Sequence, residues 1–171
     1  MNDLTKHLAK QAKKYGICDQ WYSELVKIED RKALMDMYVR GIDFCLRNNF
    51  PSNEELEKYF SDIMPDMGVY LNMPIDVKNI RPCVCLGNTY GKYTIGDYCA
   101  GEIFIKHDAK IDIVAQDNAF LMVNLFENAI INVTANDRAK VCIKQFGGTI
   151  AHKESGLDAI IKITQRNPNE F

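Results

Sequence analysis

From residue 109 onward the chain repeats itself every ten residues. The units are AKIDIVAQDN (109–118), AFLMVNLFEN (119–128), AIINVTANDR (129–138), AKVCIKQFGG (139–148), a degenerate TIAHKESGLD (149–158) and AIIKITQRNP (159–168). Ala leads each unit except the one that begins at Thr149. The third and fifth places are Ile111/Ile113, Leu121/Val123, Ile131/Val133, Val141/Ile143 and Ile161/Ile163, and only Ala151/Lys153 breaks the series. GEIFIKHD (101–108) reads as a shortened copy carrying Ile103 and Ile105. Places 1, 3 and 5 share one face of a strand, so each unit offers a small residue and two branched apolar ones to a single interior row. The units end in Asp-Asn, Glu-Asn, Asp-Arg, Gly-Gly or Leu-Asp. Asp, Asn and Gly tolerate the backbone angles of a tight corner.

A five-residue strand cannot bury its apolar face alone, so successive units must stack. Two units per coil, about 20 residues, would set Ile and Val over like residues in aliphatic ladders. Five such coils from about residue 69 to 165 would stand roughly 24 Å tall at ~4.8 Å per coil. The alternative is an antiparallel meander or sandwich, which ten-residue spacing also suits. The constant phase relative to Ala favours the solenoid, as does the absence of Asn-Gly and Asp-Gly turns from the six units. Pairing separates the two: parallel at about 20 residues, or antiparallel between ten-residue neighbours.

Residues 1 to about 65 have helical period instead. Leu4, Leu8, Ala12 and Tyr15 recur at helical spacing, with Lys6, Lys10, Lys13 and Lys14 off that stripe and Gly16 as a stop. Asp19 is positioned to cap a second helix bearing Trp21, Tyr22, Leu25 and Val26. A third is expected from Glu29 or Asp30 to Arg47, and Ser52 with Glu55 forms a capping-box pattern for a fourth. Pro65 and Gly68 close the helical part. The fold class expected is thus α+β: a helical cap at 1–66, then a β-solenoid at 67–171. The cap would cover the first coil, and the tail QRNPNEF with Pro168 would blunt the last.

A formal charge of −2 argues against general nucleic-acid binding. Nothing resembles a secretory leader or an apolar run of membrane-spanning length, which makes a cytoplasmic setting the expectation. Cys18, Cys45, Cys83, Cys85, Cys99 and Cys142 form no Cys-x-x-Cys and read as reduced thiols, with Cys83 and Cys85 on one strand face. No phosphate loop, dinucleotide-binding motif or nucleophile elbow is present. His7, His107 and His152 lack metal-site spacing. His107 beside Asp108 is a potential dyad, though such pairs mostly mark corners. The junction acids Asp108, Asp117, Glu127, Asp137 and Asp158 are a weak cation candidate and read better as turn formers. Asp112 alone lies within the paired strands of the regular repeats, too little for a carbohydrate-active carboxylate pair. No catalytic residue, metal or cofactor is therefore assigned.

The interaction candidates are aromatic and apolar. Phe120 and Met122 share the strand face opposite Leu121 and Val123, and an outward apolar pair usually marks an interface. Tyr90, Tyr93 and Tyr98 in NTYGKYTIGDY are further candidates, unless they pack inside.

The segments KKYGIC, RGIDFCLRNNFPS, AKIDIVAQDNAF and RAKVCIKQFGG resemble an uncharacterised family of short proteins from gut bacteria and their phages or prophages. More distantly, the aliphatic repeat resembles the β-solenoids of bactofilin-type polymers. The first resemblance implies a virion part, an assembly factor or a host-defence antagonist, and it carries over no site residue. The function expected is a non-enzymatic structural or interaction protein with protein partners and self-association, in the cytoplasm or in a virion. A ligand-binding or inhibitory module is the alternative.

Overall fold

A computed structural model describes residues 2–171, and the chain divides into two compact units between Met67 and Gly68. The first is all helix: α1 Asp3–Lys14, α2 Asp19–Leu25, α3 Arg31–Arg40, α4 Ile42–Asn48 and α5 Asn53–Phe60, with a final 3-10 turn at Pro65–Met67. Local chemistry sets the ends. The Asp30 side chain accepts from the Ala33 N–H and starts α3. Ser52 and Glu55 form the expected capping box on α5. Three details differ from expectation. Asp19 lies in the first turn of α2, whose N-cap is Cys18. The single helix expected to Arg47 is two, because Gly41 leaves helical geometry at φ −100°, ψ 28°. The buried side of α1 is Thr5, Leu8, Ala9 and Ala12, whereas Tyr15 is exposed. The Thr5 hydroxyl donates to the Ile28 carbonyl at 2.7 Å, which accounts for a polar group inside.

The second unit is a β-solenoid of about five coils. Its strands are β1 Val69–Leu71, β2 Pro74–Lys78, β3 Cys83–Leu86, β4 Tyr90–Ile95, β5 Ala100–Ile105, β6 Lys110–Ala115, β7 Phe120–Leu125, β8 Ile130–Ala135, β9 Lys140–Gln145, β10 Thr149–Ser155 and β11 Ile160–Gln165. Odd strands form one sheet, ordered β1-β3-β5-β7-β9-β11, and even strands form the other, ordered β10-β8-β6-β4-β2. Every pairing is parallel. Ala100 faces Phe120 and Lys110 faces Ile130, the 20-residue register expected of coils and not of hairpins. The first coil is tighter, with Val69 opposite Val84 and Pro74 opposite Tyr90.

Register turns the sequence pattern into columns. Cys83, Ile103, Val123, Ile143 and Ile163 stack in one inward column, and Ile111 stacks on Ile131 in the other sheet. Ala109, Ala119, Ala129 and Ala139 are all buried at the strand entries. Thr89, also fully buried, and Cys99 hold the equivalent places one coil earlier, so small side chains occupy the point just past each turn. The corners use left-handed backbone every ten residues: Asp97, His107, Asp117, Glu127 and Asp137 have φ between 53° and 63°. Asp, Asn and His reach that region more readily than other non-glycine residues.

Candidate functional site

The outward columns differ between the two sheets. On the even-strand sheet, Asp76, Lys92, Asp112 and Asn132 lie in register and are exposed. Opposite charges alternate up the column, and the Asn132 side-chain amide donates to Asp112 at 2.7 Å. This column is polar and solvated. On the odd-strand sheet, Ala100, Phe120, Lys140 and Ile160 form one outward column, beside Glu102, Met122, Cys142 and Lys162. Phe120 is 40% exposed and Ile160 53%, while Met122 and Cys142 are half-buried. Phe120 and Met122 thus sit together on the surface, with Leu121 and Val123 fully buried behind them.

The three tyrosines do not join them. Tyr90 is exposed but lies on the other sheet, in register with Pro74 and Lys110. Tyr98 is exposed at the corner leading into β5. Tyr93 is corrected from surface candidate to core residue: it is fully buried, and its hydroxyl donates to the Ile80 carbonyl at 3.0 Å. Gly91 and Gly101 occupy the neighbouring inward places, and a Cβ on Gly101 would come within 3.3 Å of the Tyr93 hydroxyl. The Tyr93 side chain thus reaches the place where Gly101 carries none, whereas a Cβ on Gly91 would collide with the Ile75 backbone. Burial raises the Tyr93 hydroxyl far above the ordinary phenol range, with the neighbouring Cys83 adding to it.

The corners hold the remaining chemistry-bearing groups, and the fold uses them. Asp117 accepts from the Asp97 N–H at 2.8 Å, and Asp137 accepts from the Asp117 N–H at 3.0 Å. Each carboxylate therefore ties its coil to the one before. On the opposite corner His107 Nδ1 accepts from the Gly87 N–H at 3.1 Å, which requires that nitrogen to be unprotonated. Asp108 accepts from the Asn128 side-chain amide at 3.2 Å. Burial holds His107 below the usual imidazole range, helped by Lys106 and opposed by Glu127 and Asp108. Lys106 is buried with its ammonium 3.3 Å from the Glu127 carboxylate. In the helical unit, His7 meets Glu55 at 2.6 Å, joining α1 to the start of α5. Among the described residues no group of three or more His, Cys, Asp or Glu is arranged to hold a metal.

The end of the solenoid is where sequence reasoning fell short. The tail does not blunt the last coil. A 3-10 turn at Pro168–Glu170 brings Phe171 alongside the solenoid, with its ring centroid 4.6 Å from Phe126, 5.2 Å from Phe146 and 6.2 Å from Phe104. Phe126 and Phe146 stack at 5.1 Å, so aromatics that fall outside the inward places are buried in a cluster of their own. The two strands of the last coil remain open. Every residue of β10 except Ile150 is exposed, and Ile161 and Ile163 of β11 are half-buried although they stand in inward columns. Leu157 is fully exposed between them. Ile160 and Arg166 donate their N–H groups to Ala139 and Gln145 of the preceding coil. Backbone groups alternate sides along a parallel strand, so those of Ile161, Ile163 and Gln165 face the open side.

The open edge is partly blunted. A bulge between Ile150 and His152 shifts the register of β10, and Lys153 comes opposite Val133, at an inward place. Bulges and inward-placed charges are standard protection against edge pairing. Strand β11, reading Ile-Ile-Lys-Ile-Thr-Gln, has no bulge. The break at Ala151/Lys153 in the repeat was the sequence signal for this asymmetry.

Comparison of the chain with protein-family models, with curated proteins and with solved structures finds no match. No helix among the described residues is long and apolar enough to cross a membrane.

Proposed function

We propose that this protein is a non-enzymatic assembly or interaction scaffold that docks through the open last coil of its solenoid, first with a second copy of itself. The observation that carries this reading is the edge strand β11, whose outward-facing backbone groups adjoin half-buried Ile161 and Ile163 and exposed Leu157 and Ile160. Unpaired strand edges recruit further strands, and a row of aliphatic side chains at the same place adds apolar burial. An identical end on a second copy is complementary by symmetry, since a two-fold contact matches each group with its own equivalent. Phe120 and Met122, two coils back on the same sheet, extend the apolar surface for a different protein partner. Occupation of His107 and the corner aspartates by backbone contacts supports a structural role for the groups most capable of chemistry. The resemblance to short phage-borne proteins of gut bacteria fits an assembly factor of this kind.

Sedimentation velocity from micromolar to several hundred micromolar tests the reading. The wild type should associate, Leu157→Asp with Ile160→Asp should remain monomeric, and Phe120→Ser with Met122→Ser should associate as before while losing a separate partner. A wild type that is monomeric at every concentration contradicts the self-association. Affinity purification with mass spectrometry, comparing the two double variants, then identifies the second partner.

A further inference from the structure

The helical unit contains a cavity of about 280 Å³ lined from all five helices, with Leu8, Trp21, Tyr38, Cys45, Phe50 and Phe60 among its walls. No Asp, Glu, Lys, Arg or His lines it. A cavity of about 150 Å³ with aliphatic and aromatic walls stays dry and takes up benzene. This one has nearly twice that room. Leaving such a space empty forfeits contacts on every wall, a loss that grows with volume and is severe for a unit of this size. Exposed Gly16 and Cys18 belong to the lining, so the space reaches the surface.

Its walls hold one distinctive polar group. Tyr38 is only 6% exposed and is the one tyrosine among the lining residues. Burial, with Cys45 adjacent, raises the hydroxyl well above the ordinary phenol range, so it is a neutral donor and acceptor at any physiological pH. Buried tyrosine hydroxyls usually find a partner, and the polar group of a bound molecule would supply one here.

We propose that this cavity binds a neutral, predominantly apolar small molecule of roughly ten to twelve heavy atoms with one hydrogen-bonding group, which pairs with the Tyr38 hydroxyl. A charged headgroup is excluded because no charged wall residue would compensate it. The site lies wholly within the helical unit and is independent of the solenoid end.

Trp21 is the only tryptophan of the chain and lines the cavity, so contact quenching by bromine reports occupancy directly. The full-length protein is titrated with 8-bromo-1-octanol and with 1-bromooctane, which differ only in the hydroxyl. Both should quench saturably, the alcohol at lower concentration. Tyr38→Phe is isosteric and should weaken the alcohol about three- to tenfold while leaving the bromoalkane unchanged. Quenching that rises linearly to the solubility limit would overturn the site. Equal effects of Tyr38→Phe on both probes, or none on either, would overturn the assigned role of the hydroxyl and with it the ligand class. Helical circular dichroism of the variant confirms that the unit is folded.

Discussion

Ile130 and Ile131 are neighbours in β8 with opposite fates, and replacing each with Ala measures the phase of the solenoid. Ile131 is fully buried between Ile111 and Ile150 in its column, while Ile130 faces outward and is half-buried. Truncating a fully buried Ile removes its transfer free energy and leaves a cavity in a middle coil that cannot collapse, because coils on both sides hold the backbone in register. The expected cost is about 3 kcal/mol, within the range of ~2 to 5 for such changes. For a unit of this size that is a fall in Tm of roughly 15 °C. Ile130→Ala should cost about 1 kcal/mol or less, in proportion to the smaller area it buries. Ile131→Asp places an unpaired carboxylate in the same spot and should unfold the solenoid at 25 °C. Urea denaturation followed by β-sheet circular dichroism gives the solenoid transition, while Trp21 fluorescence follows the helical unit. Equal losses from Ile130→Ala and Ile131→Ala, or less than about 1 kcal/mol from Ile131→Ala, would refute the inward ladder.

Asp117 serves both as a left-handed corner and as an acceptor for the Asp97 N–H; Asp117→Ala should cost about 2 kcal/mol, and Asp117→Gly less, because glycine keeps the backbone angle and loses only the bond. Equal costs by thermal denaturation would deny the corner its conformational share. Because burial depresses the folded pKa of His107, its contribution to stability is full above ~6.5, the unfolded value, and is lost as pH falls through the folded value. The urea midpoint of the solenoid should drop between pH 7.5 and 5, and His107→Asn should flatten that slope; an unaltered slope counts against His107 as the cause. With Cys45 pushed up to about 12 by burial and Cys83 and Cys85 fully buried, a thiol reagent at pH 8 should modify exposed Cys18 first and at most Cys99 and Cys142 afterwards. More than three thiols reacting before unfolding would contradict the described burial.

Much of the architecture was readable because a solenoid writes its geometry into a fixed phase. The same phase, carried back from residue 109 to residue 89, also accounts for the three tyrosines. Tyr93 falls at the fifth, inward place, Tyr90 at the second, outward place, and Tyr98 at the corner. What hid this in the sequence was Gly91 and Gly101, which stand in the third place where the later units have Ile, Leu or Val. At Gly101 the Tyr93 hydroxyl closes up to the vacant place, and at Gly91 the Ile75 backbone does, exchanges that depend on packing between coils. The break at Gly41 was obscured because apolar residues keep helical spacing straight through it. The destination of the tail could not be read at all, since the Phe104, Phe126, Phe146 and Phe171 cluster joins residues far apart in the chain. The cavity was equally invisible: its walls read as ordinary helical core stripes, and only their spacing in three dimensions leaves a gap.

Amide hydrogen exchange along β11 examines the open edge residue by residue. In dilute solution the N–H groups of Ile161, Ile163 and Gln165 should exchange rapidly, while those of Ile160, Lys162 and Thr164, which point toward β9, are protected. At high protein concentration the fast set should become protected as a second copy pairs with the edge. Uniform protection along the strand in dilute solution, or a fast set that stays fast at every concentration, would contradict an open coil that docks by strand pairing.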